Sequence, residues 1–277
     1  IHIGLLDEIF QAGDPVLVGV DAASTFCFLL SPEEHRDADT WGIRLLELVD
    51  RGFAPVATIA DFASGLRAGH KEALPEVPCR GDVFHALYDV GPLVRYLENR
   101  AYEAMDVCAK LERKQATTER RHGRKDQSLA KQLSYARPAE AKAIVLADEV
   151  ALLARWLRDD ILSVAGPEYA IRRDLLDFVV AELRARESAC PHRIGPVRTL
   201  LEKQRDNLLA FAVQLDRDLA ALAQEWQIRV TTAREVLQVQ SLPTWDPQRW
   251  RREAALRATL RGRYHGVCAD VQELSDR

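Results

Sequence analysis

Two aspartates, Asp21 and Asp61, each stand directly after a short apolar run, Val16–Val20 and Val56–Ala60. Carboxylates at the ends of buried strands can emerge from one edge of a sheet. Two of them brought close together repel until one is protonated or a divalent cation lies between them. Two such cations, about 3.5–4 Å apart, activate a nucleophilic oxygen and stabilise the leaving oxygen of a phosphodiester. The competing reading of each Asp is a cap on the turn that follows. A second feature is Cys79-Arg80-Gly81-Asp82-Val83-Phe84-His85, a strand-like piece running into a helix, in which Asp82 and His85 are three residues apart and share one face. A third is basic. Between Lys110 and Lys131 eight cations (Lys110, Arg113, Lys114, Arg120, Arg121, Arg124, Lys125, Lys131) face three acids, enough local charge to track phosphates along a duplex. Its plain alternative is a solvated helix face.

These groups need elements to hold them. Val16–Val20 and Thr25–Leu30 read as buried strands, close enough in sequence to pair antiparallel. Ser31-Pro32-Glu33-Glu34 resembles a helix start, and the apolar spacing through Val49 continues it until Gly52. Val56–Ala60 is a third strand, expected to lie parallel to Val16–Val20 with that helix as the crossover, so that Asp21 and Asp61 meet. Leu66–Ala73 reads as a short helix. From Phe84 onward the period is helical throughout. A long helix runs into the basic segment, with a turn at His122-Gly123 and a break at Pro138. Further helices are expected over Leu146–Leu162, Ala170–Arg186, Ile194–Gln224, Thr232–Gln240 and Pro247–Arg263.

Composition narrows the class. Apolar residues at 47% and charged residues at 29% are globular values that exclude a disordered or collagen-like chain, and no apolar run is long enough to span a membrane. Cys27, Cys79, Cys108, Cys190 and Cys268 are odd in number with no C-x-x-C pair, which argues against a disulfide framework and for a reducing cytosol. The net charge of −4 gives no global pull on nucleic acid, so any such contact is local. Phosphate-binding loops, dinucleotide turns, nucleophile elbows and zincin helices are missing from the sequence. The chain begins with Ile1 instead of Met and lacks a leader pattern, and is read as part of a longer polypeptide.

The order of these motifs resembles a known family. An Asp closing an early strand is followed by a D-x-x-x-G-L-R segment (Asp61-Phe62-Ala63-Ser64-Gly65-Leu66-Arg67) and then a C/D-x-x-H element (Asp82–His85). The pattern is similar to the RNase H-like DDE/DDD transposases of bacterial insertion sequences, over roughly residues 15–100. It looks most like members carrying a large helical insertion between the second and third acids. The resemblance implies an α/β fold with an RNase H-like core at 1–90 and an all-helical insertion domain at 91–277. It implies Asp21 and Asp61 as ligands of Mg2+ or Mn2+, with Asp82 and His85 as accessory catalytic groups. The cations Lys110, Arg113, Lys114, Arg120, Arg121, Arg124 and Lys125 would bind DNA. The third acid has no S-x-x-E match after residue 100 and is expected beyond Arg277, or not at all.

The expected function is metal-dependent cleavage and strand transfer at element ends. It would act on double-stranded DNA as a homodimer or higher oligomer, in the bacterial cytoplasm at the nucleoid and without a membrane. An alternative keeps the fold and drops the chemistry, leaving a transposase-derived DNA-binding or oligomerisation protein. A structure-selective nuclease of the same superfold is a third.

Overall fold

The computed structural model describes residues 2–241; the helix expected over Pro247–Arg263 lies outside the described residues. Five strands form one mixed sheet: β1 (Ile3–Gln11), β2 (Asp14–Asp21), β3 (Cys27–Pro32), β4 (Ala57–Ala60) and β5 (Cys79–Gly81), in the order β3-β2-β1-β4-β5. The first three are antiparallel neighbours, and β4 and β5 extend the sheet in parallel to β1. Helices α1 (Ala38–Asp50) and α2 (Ser64–Ala73) are the crossovers.

The sheet departs from expectation at two places. The opening residues form β1, a nine-residue strand that the sequence reading passed over. Consequently the parallel neighbour of β4 is β1, while β2 lies one strand further away. Ser31-Pro32 also does not start α1. Both residues pair with β2, and the helix begins six residues on, where the Asp37 carboxylate accepts the Thr40 backbone N–H at 3.0 Å.

One face of the sheet carries the core. Leu6, Leu17, Leu29 and Ala60 pack with Trp41, Leu45 and Leu48 of α1 and with Leu66 and Ala73 of α2. Alternation also delivers Glu8 to this face, where its carboxylate accepts the Trp41 indole N–H at 2.9 Å and pairs with Arg36 at 2.9 Å. Behind β4 the buried Thr58 hydroxyl and His70 Nε2 are 2.8 Å apart. Burial, reinforced by the Arg67 charge, holds the His70 pKa below its ordinary value.

The rest of the described residues are mostly helical: α3 (Val83–His122), α4 (Gln127–Trp156) with a π-turn at Leu157–Ile161, α5 (Tyr169–Arg186), α6 (Pro191–Lys203), α7 (Arg205–Glu225) and α8 (Val230–Ser241). Pro138 lies inside α4 instead of ending it, at an exposed position, where the helix loses one backbone hydrogen bond and continues. The long helix expected over Ile194–Gln224 is divided at Gln204. Two compact units result. Among the described residues, one comprises 2–86 with Gln204–Leu215, and the other Leu87–Lys203 with 216–241. The stretch Gln204–Leu215 therefore returns to the sheet unit from within the helical part, which the expected division at residue 90 did not include. No helix among the described residues is long and apolar enough to cross a membrane.

Candidate metal centre

The parallel register of β1 and β4 brings two carboxylates together. Leu6 pairs with Ala60, so Asp61, the first residue after β4, comes beside Asp7, which lies within β1. β5 pairs with β4 through Ala60 and Gly81, and α3 opens two residues later, which carries His85 to the same edge. One ligand atom from each of Asp7, Asp61 and His85 lies within 4.8 Å of the others.

Each side chain is held by local bonds. One Asp61 carboxylate oxygen accepts the Ala63 N–H at 3.0 Å, fixing the turn into α2. Asp82 accepts the Phe84 N–H at 2.8 Å through one oxygen and meets His85 Nδ1 at 2.8 Å through the other. A carboxylate on Nδ1 leaves Nε2 as the nitrogen offered to a cation, the usual arrangement behind a ligating imidazole. Burial pulls the His85 pKa down, but the hydrogen bond and charge of Asp82, with Asp7 and Asp61 adding, more than offset it. The group ends above its ordinary value. Two carboxylates and one imidazole are a donor set that suits Mn2+, and Mg2+ through the carboxylates.

The D-x-x-x-G-L-R segment also has a structural content. Gly65 sits where a Cβ would come within 2.3 Å of the Arg36 carbonyl oxygen, so only glycine lets α2 begin against that chain. Arg67 reaches back to the strand ends. Its Nε donates to the Asp61 carbonyl at 2.9 Å, its Nη1 to Cys79 at 2.9 Å, and its Nη2 to Ala60 at 3.2 Å and Arg80 at 3.0 Å.

Asp21 does not join this group. It ends β2 opposite Gly4, three residues short of Asp7 along β1, or about 10 Å, and on the opposite face of the sheet. Its carboxylate is occupied by the Ser24 hydroxyl at 2.5 Å, the Ser24 N–H at 2.8 Å and His2 Nδ1 at 3.3 Å. The Ser24 bonds above all, with His2 adding, hold its pKa at about 2. This is the turn-capping role, and the expected meeting of Asp21 and Asp61 does not occur. Of the expected site residues, Asp61 and His85 lie in the cluster and Asp82 stands behind it.

Asp7 is the residue that the sequence reading missed. The signal was present in Gln11-Ala12-Gly13-Asp14, a two-residue hairpin turn with φ of 55° at Ala12 and 102° at Gly13, which requires a strand on its N-terminal side.

The basic segment forms the α3–α4 turn. Gly123 has φ of 66°, and Asp126 caps α4 by accepting the Ser128 and Leu129 N–H groups. Arg113, Lys114, Arg120, Arg121, Arg124 and Lys125 are exposed around it, while Lys110 pairs with Asp106 at 2.5 Å. Trp156 is buried near Phe178, the structural role of a core indole. No protein-family model matches the chain, and no curated protein does either.

Proposed function

We propose that this chain is the RNase H-like core and helical insertion of a bacterial insertion-sequence transposase, a DNA-cutting and strand-joining enzyme. The observation that carries the reading is the convergence of Asp7, Asp61 and His85 at the edge where β1 and β4 run parallel. The strand order and directions support an RNase H-like core, and the helices after β5 support a large insertion.

In this reading Asp7 and Asp61 hold the divalent cation, Mg2+ or Mn2+, and His85 completes or flanks the set. A divalent cation held by these residues would supply Lewis-acid activation of the attacking oxygen and charge neutralisation on the phosphodiester. Asp82 holds the imidazole in one orientation. Water attacks the phosphorus and the P–O3′ bond breaks, leaving a 3′-hydroxyl on one side and a 5′-phosphate on the other; that hydroxyl then attacks the phosphorus of a target phosphodiester, whose P–O3′ bond breaks with the target 3′-oxygen as leaving group. The exposed cations from Arg113 to Lys125 contact the duplex backbone, and two copies of the chain hold two element ends. Such a protein works in the bacterial cytoplasm, at the nucleoid.

The test is nicking of terminal-repeat DNA by the full-length protein with Mg2+ or Mn2+. D7A and D61A are expected to lower the rate by at least about a hundredfold, an effect of about 2.7 kcal/mol or more on the barrier, and D21A to leave it within a few-fold. Nicking that survives both D7A and D61A overturns the proposal.

A further inference from the structure

We propose that Arg67 is the positioning residue of this centre, setting the separation of Asp61 from His85 and through it the affinity for a divalent cation. The inference rests on the reading of Asp7, Asp61 and His85 as a metal site and deepens it. β5 is an edge strand of three residues, joined to β4 by the pairs Thr58–Cys79, Ile59–Arg80 and Ala60–Gly81 and flanked by the Thr58 N–H donating to Pro78 at 3.0 Å and the Asp82 N–H donating to Ala60 at 2.8 Å. So short an edge frays readily. Yet β4 leads to Asp61 and β5 leads to His85, so any play between these two strands is play between two of the three ligands.

The Arg67 guanidinium spans that joint. It donates to Ala60 and Asp61 on the β4 side and to Cys79 and Arg80 on the β5 side, all between 2.9 and 3.2 Å. Its head is also seated over the Phe62 ring, 5.3 Å from the centroid. A planar fork with five N–H donors can serve four carbonyls at fixed angles, whereas an ammonium has three donors on a flexible stem. Arg67 thus acts on the cation through backbone that carries the ligands, and touches no ligand side chain itself.

The experiment is a Mn2+ titration of the full chain followed by electron paramagnetic resonance, at a temperature where every variant is folded by circular dichroism. R67Q is expected to weaken Mn2+ binding about tenfold or more, the range usual for groups supporting metal ligands, and R67K by an intermediate factor. V77A, which trims a side chain packed on the core beside β5, is the control for lost stability. It is expected to lower the melting temperature with Mn2+ affinity unchanged. Should R67Q fail to fold, R67K against V77A decides alone. An Arg67 variant that binds Mn2+ like the wild type overturns the inference, as does a weakening that V77A reproduces. A wild-type chain whose Mn2+ binding is absent, or is indifferent to D7A and D61A, overturns the metal-site reading itself and Arg67's role with it.

Discussion

Asp7 and Glu8 are neighbours with opposite duties, because a strand turns successive side chains to opposite faces. Glu8 is drawn into the core by Trp41 and Arg36, whereas Asp7 emerges toward Asp61 and His85. Asp21 has a third duty, closing the turn after β2, and its depressed pKa ties it to acid stability. A carboxyl near 2 in the folded chain, against an ordinary 3.8, contributes stability that is fully present above about pH 4 and is lost as pH falls toward 2. D21N is therefore expected to be less stable than the wild type at pH 7, with the gap closing on acidification. Urea midpoints at several pH values check this, and a gap that persists at pH 2 would contradict it. Sequence alone could not separate Asp21 from Asp7. Both follow apolar residues, and only strand pairing reveals which one has a parallel neighbour ending in an acid. Asp61 and His85 were legible because their segments carry local signals: a strand end with a glycine four residues on, and an i, i+3 pair at a helix start.

At the scale of elements, α1 and α2 lie so close that their backbones nearly touch. A Cβ on Gly69 would come within 2.4 Å of the Ala38 carbonyl oxygen and 2.7 Å of the Gly42 nitrogen. G69A is expected to cost about 1–3 kcal/mol, as overpacking does, measured by denaturant unfolding. In the helical unit Arg186 is buried with the carboxylates of Glu149 and Glu182, each at 2.6 Å. R186M removes the cation that both carboxylates share and is expected to cost about 3–5 kcal/mol, the usual effect of removing one member of a buried ionic group. Strands β2 to β5 and most helices were readable from periodicity. β1 was not, since Asp7 and Glu8 interrupt its apolar run, and only the hairpin turn betrays it. Pro138 misled in the opposite sense: a proline at an exposed position of a thirty-residue helix removes one hydrogen bond and need not end it.

At the scale of the molecule, the proposed contact with nucleic acid has to come from a minority of the surface, because the chain as a whole carries a net charge of −4. If the α3–α4 turn provides it, binding will fall steeply with salt. Neutralising Arg120, Arg121, Arg124 and Lys125 together should flatten the plot of log affinity against log salt by roughly one unit for each phosphate that these side chains had paired. Fluorescence anisotropy with a labelled duplex measures the slope; an unchanged slope assigns the binding surface elsewhere. The return of Gln204–Leu215 to the sheet unit was beyond the reach of periodicity, which locates helices but not their neighbours. The hairpin between β1 and β2 has a consequence for folding fidelity. Its loop is only Ala12 and Gly13, both held at positive φ, and that length alone dictates how the first strand is threaded. A single inserted residue there would slide the strand by one place and exchange the two acids, pressing Asp7 onto the indole of Trp41 and turning Glu8 outward. Mis-threading would thus cost the chain the Trp41 anchor and the approach of Asp7 to Asp61 and His85 in the same stroke, so correct threading of the first strand settles both at once.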